Sequence, residues 1–447
     1  MLNFHLSLDL NPEFKDALRL IQGSSRNLLI LGRAGTGKST FLDYFRAVTK
    51  KQVVVLAPTG VAAVNVKGET IHSFFRFKPN ITLSRVKKLR RSADAELYQK
   101  LDTIVIDEIS MVRADLLDCV DKFLRLNGPF PDRPFGGVQM VFIGDLFQLP
   151  PVITSQEKEV FSGGFYQSGY FFSARVFEQI DLECIEFNTI YRQKDDTFIS
   201  VLNAIRNNRV SSEDLDLINS RVEENIDFDS LNYFVCLTPT NRAAERINSA
   251  HLARLRGKAY SLSGKTEGDF DLRYLPADKE LRFKNGAQMM LLHNDDKGRW
   301  VNGTVVKVAG MEEEDQGPDA VIVKLPDGSS ERVYPYTWEL FHSQVNASTG
   351  MIETEAIGKF TQYPLKLAWA MTIHKSQGKT FDRVIIDIGN GAFAGGQVYV
   401  ALSRCRSLEG IILVRPIEKH YIFMDEKIVD FVSSLSSRPE EDSPVLS

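Results

Sequence analysis

Gly32-Arg33-Ala34-Gly35-Thr36-Gly37-Lys38-Ser39 follows directly on the apolar run Asn27-Leu28-Leu29-Ile30-Leu31. Glycines let the chain curl until successive backbone N–H groups point at phosphate oxygens, and a helix beginning behind them adds its positive end. A lysine at the seventh position of such a loop reaches the β- and γ-phosphates, and the hydroxyl after it is placed to ligate Mg²⁺. The context of strand, loop and helix predicts a P-loop in which Gly35, Thr36, Gly37, Lys38, Ser39 and Thr40 hold a nucleoside triphosphate. A glycine-rich turn that merely contains a lysine would not require all these positions at once.

Outward from this loop, residues 27–31, 52–56, 103–106 and 139–143 are apolar segments separated by amphipathic stretches, the pattern of buried parallel strands in an α/β sheet. Residues able to do chemistry follow at or near the end of each, and ligands bind beyond the carboxyl ends of such strands. A second set of apolar runs, 182–187, 233–237, 383–388 and 411–414, predicts a second α/β unit. Between them, residues 275–355 carry short β-like runs and turn signals. There Val321-Ile322-Val323-Lys324-Leu325, then Pro326-Asp327-Gly328, then Arg332-Val333-Tyr334 reads as a hairpin, so a small β-barrel inserted in the second unit is expected. The boundaries expected are 1–180 for the first unit, 181–274 and 356–433 for the second, and a disordered tail at 434–447 rich in Ser, Pro and acid.

A chain of 447 residues is too long for one ordinary domain. No apolar run is long enough to span a membrane, and residues 1–8 lack the features of a secretory signal. The four cysteines, Cys119, Cys184, Cys236 and Cys405, have no paired ligand spacing and read as reduced thiols of an intracellular protein. A net charge of −4 gives no global field for a polyanion. Charge is nevertheless uneven: Arg85, Lys87, Lys88, Arg90 and Arg91 cluster, as do Glu312, Glu313, Glu314 and Asp315. The acidic run reads as solvated surface; the basic cluster suits either surface or a local nucleic-acid groove.

Ile104-Val105-Ile106-Asp107-Glu108 puts two carboxylates at a strand end, where Asp107 suits Mg²⁺ and Glu108 suits activation of water. Gly144-Asp145-Leu146-Phe147-Gln148-Leu149-Pro150-Pro151 offers the Gln148 amide to a γ-phosphate or to the attacking water. Pro58, Thr59, Gly60 and Val61 after the second strand, then His72 and Ser73, supply donors for a phosphodiester; Phe74 or Phe75 would stack a base or fill the core. In the second unit Thr238-Pro239-Thr240-Asn241 ends a strand as the Thr59 segment does in the first. Thr372-Ile373-His374-Lys375-Ser376-Gln377-Gly378-Lys379-Thr380 is too polar for a core helix. Arg192 in Tyr191-Arg192-Gln193 and Arg404 in Tyr399-Val400-Ala401-Leu402-Ser403-Arg404-Cys405-Arg406 are of the type that neutralises charge on a cleaving phosphate.

This ordered set resembles the Pif-one family of superfamily-one DNA helicases, the 5′-to-3′ branch that includes the RecD and Dda helicases. Residues 112–125, with Asp115, Asp118, Leu124 and Arg125, resemble the family's signature helix. Asn285-Gly286-Ala287-Gln288-Met289-Met290 and Val301-Asn302-Gly303-Thr304 resemble its SH3-like insertion. The resemblance implies two RecA-like motor domains with ATP and Mg²⁺ in the cleft between them. It implies a wedge insertion at 77–100 in the first domain and an SH3-like barrel in the second. By the same carry-over, Lys38, Ser39, Asp107, Glu108 and Gln148 act from the first domain. Arg192 and Arg404 reach across from the second, and Gly378 lies near the nucleotide. Single-stranded DNA would contact Thr59, Gly60, His72, Thr238, Asn241, Thr372, His374, Lys375 and Ser376. The implied partners are single-stranded DNA and its junctions with duplex, in a monomer that is cytoplasmic and nucleoid-associated if bacterial, acting in DNA repair, recombination or replication. Family members often carry an adenine-reading glutamine upstream of the P-loop. Here Leu10-Asn11-Pro12-Glu13-Phe14-Lys15 has none, and Gln22 is the first, which leaves selectivity among NTPs open.

Two other readings compete. A P-loop enzyme acting on a small substrate does not account for phosphate-binding loops repeated in the second unit. An ATP-switched single-strand binding protein shares every motif and differs only in failing to unwind.

Overall fold

The computed structural model describes residues 11–436 apart from 91, 152, 154–157, 159, 160, 162, 163, 194, 228–230, 271–274, 347, 390 and 393. Residues 1–8, residue 91 of the basic cluster and the part of the expected tail from 437 on lie outside that set. Residues 434–436 close the helix Glu426–Ser436.

Strands β1 (Asn27–Gly32), β2 (Val53–Ala57), β3 (Glu69–Thr70), β4 (Thr103–Ile106), β5 (Gln139–Gly144) and β6 (Leu182–Phe187) form one parallel sheet in the order β3-β2-β4-β5-β1-β6. The central β4 and β5 are buried along their whole length, as strands covered on both faces by helices must be. The four predicted strands are present within a residue or so of the expected ends. Strand β6 corrects the reading above: it pairs along its full length with β1, Leu29 opposite Cys184, and so completes the first sheet instead of opening the second unit. Its partial burial, with Leu182 and Phe187 inside and Cys184 and Glu186 exposed, is that of an edge strand.

The second sheet is also parallel, in the order Ala370–Thr372, Val235–Thr238, Val384–Ile386, Ile411–Leu413. The antiparallel insertion within it runs from Ala259–Ser263 to Leu365–Leu367, wider than 275–355. The expected hairpin is there, with Val321 opposite Val333, around a core containing Trp300, Val306 and Val323. The acidic run lies at its surface, where Arg332 pairs with Glu312 and the Tyr334 hydroxyl donates to Glu314.

A long hairpin, Tyr336–Val345 with Ile352–Gln362, projects from the insertion and rests on the first domain. Glu69, buried in β3, accepts from the Ser343 amide at 2.6 Å and pairs with His342 Nδ1 at 3.1 Å. Gln52 accepts from the Ile352 amide at 2.7 Å. Residues 77–100 hold a short turn, Leu83–Arg85, and the helix Ser92–Gln99, packed on the helix Ala114–Asn127. Lys122 donates to the Leu83 carbonyl, and Asn127 accepts from the Leu89 amide. Arg85, Lys87, Lys88 and Arg90 stand exposed on this segment.

Candidate active site

The P-loop turns through Gly35 and Gly37, at φ +86° and +83°, a region costly for any residue with a Cβ. Gly35 has a second reason to be glycine: a Cβ there would lie 2.5 Å from that of Arg192. The helix Lys38–Val48 starts directly behind, so its free N–H groups face the loop. Lys38 Nζ folds inward and donates to the Gly32 and Arg33 carbonyls at 2.6 and 3.0 Å. Burial pushes its pKa down, against the pull of Asp145, Glu108 and Asp107. Thr36 is buried and donates to the Arg33 carbonyl, whereas Ser39 and Thr40 are exposed at the helix start.

Asp107 and Glu108 follow β4. Burial, then the neighbouring Glu108, raises the Asp107 carboxyl to about 7; burial also raises Glu108. Glu108 sits at φ +50°, a conformation that residues other than glycine adopt mainly where surrounding structure enforces it. The Ser39 hydroxyl and Asp107 carboxylate are hard oxygen donors of the kind Mg²⁺ takes. Gln148, after β5, is held at both ends of its amide: Nε2 donates to Asp145 Oδ2 at 3.1 Å, and Oε1 accepts from Gln377 Nε2 at 3.3 Å.

One cleft of about 1160 Å³ between the two sheets has Gly35, Lys38, Ser39, Glu108 and Gln148 on one wall and Gly378, Thr380 and Arg404 on the other, with Asp107 just outside its lining. Arg404 is buried. Its Nε donates to the Val400 carbonyl at 2.9 Å and its Nη1 to the Ser376 and Lys379 carbonyls at 3.5 and 3.4 Å. Arg192 needs a correction. It follows β6, and the neighbouring Tyr191 amide donates to the Gly35 carbonyl, so the first domain carries it. Its Nη1 then donates to the Ser403 carbonyl of the second at 3.3 Å. Burial, with Arg404 next to it, lowers the pKa of Arg192.

The candidate DNA contacts divide by exposure. Thr59 caps the helix Gly60–Asn65 through the Ala62 amide, with Val61 exposed beside it and Pro58 half-buried. Ser73 and Lys375 are exposed, as is Asn241, while His72 and His374 are half-buried. Phe74 is a correction: it is fully buried, edge-on to Phe75 and Tyr98, and fills the core under the first domain. Thr238, Thr372 and Ser376 are buried as well. Thr238 donates to carbonyls of Thr240 and Met371, Ser376 donates to that of Ile373, and Thr372 accepts from the Lys375 amide. They shape the turn His374–Ser376 and the strand ends rather than present free donors.

Sequence reasoning passed over Thr240, which caps the helix Asn241–Arg254 through the Ala243 amide as Thr59 caps its own. The signal was available in the alignment of Ala57-Pro58-Thr59-Gly60 with Thr238-Pro239-Thr240-Asn241. It also passed over Tyr191 and Phe14, both of which line the cleft and pack against Gly37.

Residues 9–216 match the family model described as PIF1-like helicase. The ATP-dependent DNA helicase Pif1 of Bdellovibrio bacteriovorus is 31% identical over 95% of this chain and 92% of its own length. The chain belongs to the PIF1-like helicase family. Human ATP-dependent DNA helicase PIF1 is 32% identical over 92% of this chain, which spans 61% of the human protein's length. The crystal structure of Bacteroides sp Pif1 in complex with ADP-AlF4 superposes with a TM-score of 0.88 at 37% identity, covering 96% of this chain and 98% of that one. Bacteroides Pif1 bound to ssDNA, at 38% identity and the same coverage, gives 0.67. The fold is therefore that of a PIF1-like helicase with two RecA-like domains, and the present arrangement is nearer that of the ADP-AlF4 complex than that of the ssDNA complex. Among the described residues no helix is long and apolar enough to cross a membrane.

Proposed function

We propose that this chain hydrolyses ATP in the interdomain cleft to move 5′-to-3′ along single-stranded DNA and open the duplex ahead, using Mg²⁺ held by Ser39 and Asp107. One observation carries the reading. Arg404, which faces Glu108 and Gln148 across the cleft, is hydrogen-bonded through Nη1 to Ser376, in the polar turn read as a DNA contact. Two domains that both touch a nucleotide and both grip a strand convert hydrolysis into stepping, because a ligand shifts an equilibrium only through differential affinity for its states. Lys38 leaves its two carbonyl partners for the β- and γ-phosphates, and Glu108 draws the proton from the attacking water. Gln148 orients that water, and Arg192 with Arg404 neutralises charge on the transferred phosphoryl. When bound, Mg²⁺ supplies charge neutralisation at the phosphate oxygens.

The relatives named ATP-dependent DNA helicase, the ADP-AlF4 complex and the ssDNA complex support this reading, as does the exposed basic segment around Arg85 where the family's wedge falls. The proposed partners are single-stranded DNA and its junctions with duplex, and the processes are repair, recombination or replication. The test is unwinding of matched duplexes with a 5′ or a 3′ single-stranded tail, with and without ATP. Opening of the 5′-tailed substrate alone, dependent on ATP, is expected. Opening of only the 3′-tailed substrate overturns the polarity, and opening of neither, with DNA bound, leaves the ATP-switched binder.

A further inference from the structure

The Gln148 amide must face the γ-phosphate in one orientation, and both groups that fix it lead to the second motor domain. Gln377 holds its oxygen, and Asp145 holds its nitrogen. Asp145 is 1% exposed, and its Oδ2 also accepts from the Tyr399 hydroxyl at 3.3 Å. That hydroxyl in turn accepts from the Ala34 amide of the P-loop at 3.4 Å. Tyr399 lies on the helix Gln397–Leu402 of the second domain, on the segment that continues to Arg404. Behind Asp145, Arg206 stands 3.8 Å from Oδ1 with its guanidinium over the Phe147 ring at 3.9 Å, which leaves the carboxylate little freedom.

We propose that Tyr399 is a positioning residue for hydrolysis: crossing the cleft, its hydroxyl ties the P-loop at Ala34 to Asp145 and so sets the Gln148 amide only when the two domains are closed. The donor order has one consistent assignment. The phenol, buried in the cleft wall, keeps its proton and donates through it a hydrogen bond to the carboxylate, leaving a lone pair for the Ala34 N–H. Opening the cleft removes the phenol from both partners and Gln377 from the Gln148 oxygen, so Gln148 loses the contacts across the cleft that fix its amide. A wrongly timed water attack is thereby suppressed in the open state. This inference rests on the reading of the cleft as a hydrolytic site.

The test is steady-state ATP hydrolysis at saturating single-stranded DNA for the wild type, Tyr399→Phe, Gln148→Ala and the double variant. Tyr399→Phe removes one oxygen and is expected to lower kcat by about tenfold, the worth of one hydrogen bond expressed in the transition state. KM for ATP and DNA affinity are expected to hold within about twofold. In the Gln148→Ala background the same change is expected to have no further effect, since positions acting through one group are not additive. Asp145→Ala, which removes the acceptor of both the Tyr399 and the Gln148 bonds, is expected to reproduce the kcat loss. An unchanged kcat in Tyr399→Phe overturns the inference, as does an equal fold-loss with and without Gln148. Absence of DNA-stimulated hydrolysis in the wild type would overturn the underlying reading instead.

Discussion

Truncating Arg404 to alanine separates the chemistry of the cleft from its architecture. The guanidinium spends its donors on the Val400, Ser376 and Lys379 carbonyls and the Ser403 hydroxyl, all within the second domain, and faces Glu108 across the cleft. An arginine placed on a transferring phosphoryl is worth about 10³-fold or more in turnover, or ~4 kcal/mol of transition-state stabilisation. The structural loss is smaller. Burial lowers the pKa of Arg404, so the cation is already held at a desolvation cost, and removing it leaves neutral carbonyls that water can reach in the enlarged cleft; about 1–2 kcal/mol of stability is expected to go. Turnover at saturating DNA is therefore expected to fall by about three orders of magnitude while DNA affinity, read by fluorescence anisotropy, holds within about threefold. Arg404→Lys is expected to recover less than about tenfold of the loss, because one ammonium cannot span the Val400, Ser376 and Lys379 carbonyls at once. Turnover within about threefold of wild type in a folded Arg404→Ala protein would refute the assignment.

Gly35→Ala forces a Cβ to within 2.5 Å of Arg192 at φ +86°; it is expected to raise KM for ATP at least about tenfold and to lower the melting temperature, so a normal KM would contradict the fit of the loop to Arg192. Phe74→Ala should cost about 3–5 kcal/mol in urea unfolding yet leave DNA affinity of the folded protein unchanged, whereas a selective loss of DNA binding would restore the stacking role. The hydrogen bond that His342 donates to the Glu69 carboxylate raises the pKa of His342 above its ordinary value. Its contribution to stability is thus full below about pH 6.5 and fades as pH rises through the raised value. The stability gap between wild type and His342→Gln should then shrink on going from about pH 6 to about pH 8.5, and a gap independent of pH would show that the pair carries no such linkage.

The chemistry of the first domain could be read from the chain because each functional group sits within a few residues of a strand end, so local order and spacing carry it. What required the structure was pairing between distant segments. Nothing local in Leu182-Glu183-Cys184-Ile185-Glu186-Phe187 says that its partner is β1 rather than a new sheet, and the provenance of Arg192 followed that assignment. Phe74 is offered to DNA on residue type and Thr238 by carry-over from the family resemblance, whereas the side-chain environment that buries them comes from Tyr98 in one case and the Met371 strand in the other. The Thr59 and Thr240 caps illustrate the opposite case: the repeat was in the sequence, and comparing the two segments position by position identifies the matching threonine.

The hairpin Tyr336–Val345 and Ile352–Gln362 meets the first domain through the Glu69 and Gln52 side chains, and none of the assigned backbone ladders joins it to β3. A strand added to the sheet edge would be welded there by a run of amide bonds. A few side-chain bonds at roughly 1 kcal/mol each make instead a fastener. A ligand that prefers the detached form by a few kcal/mol can undo it, and the same bonds re-form without any strand having to find its register again.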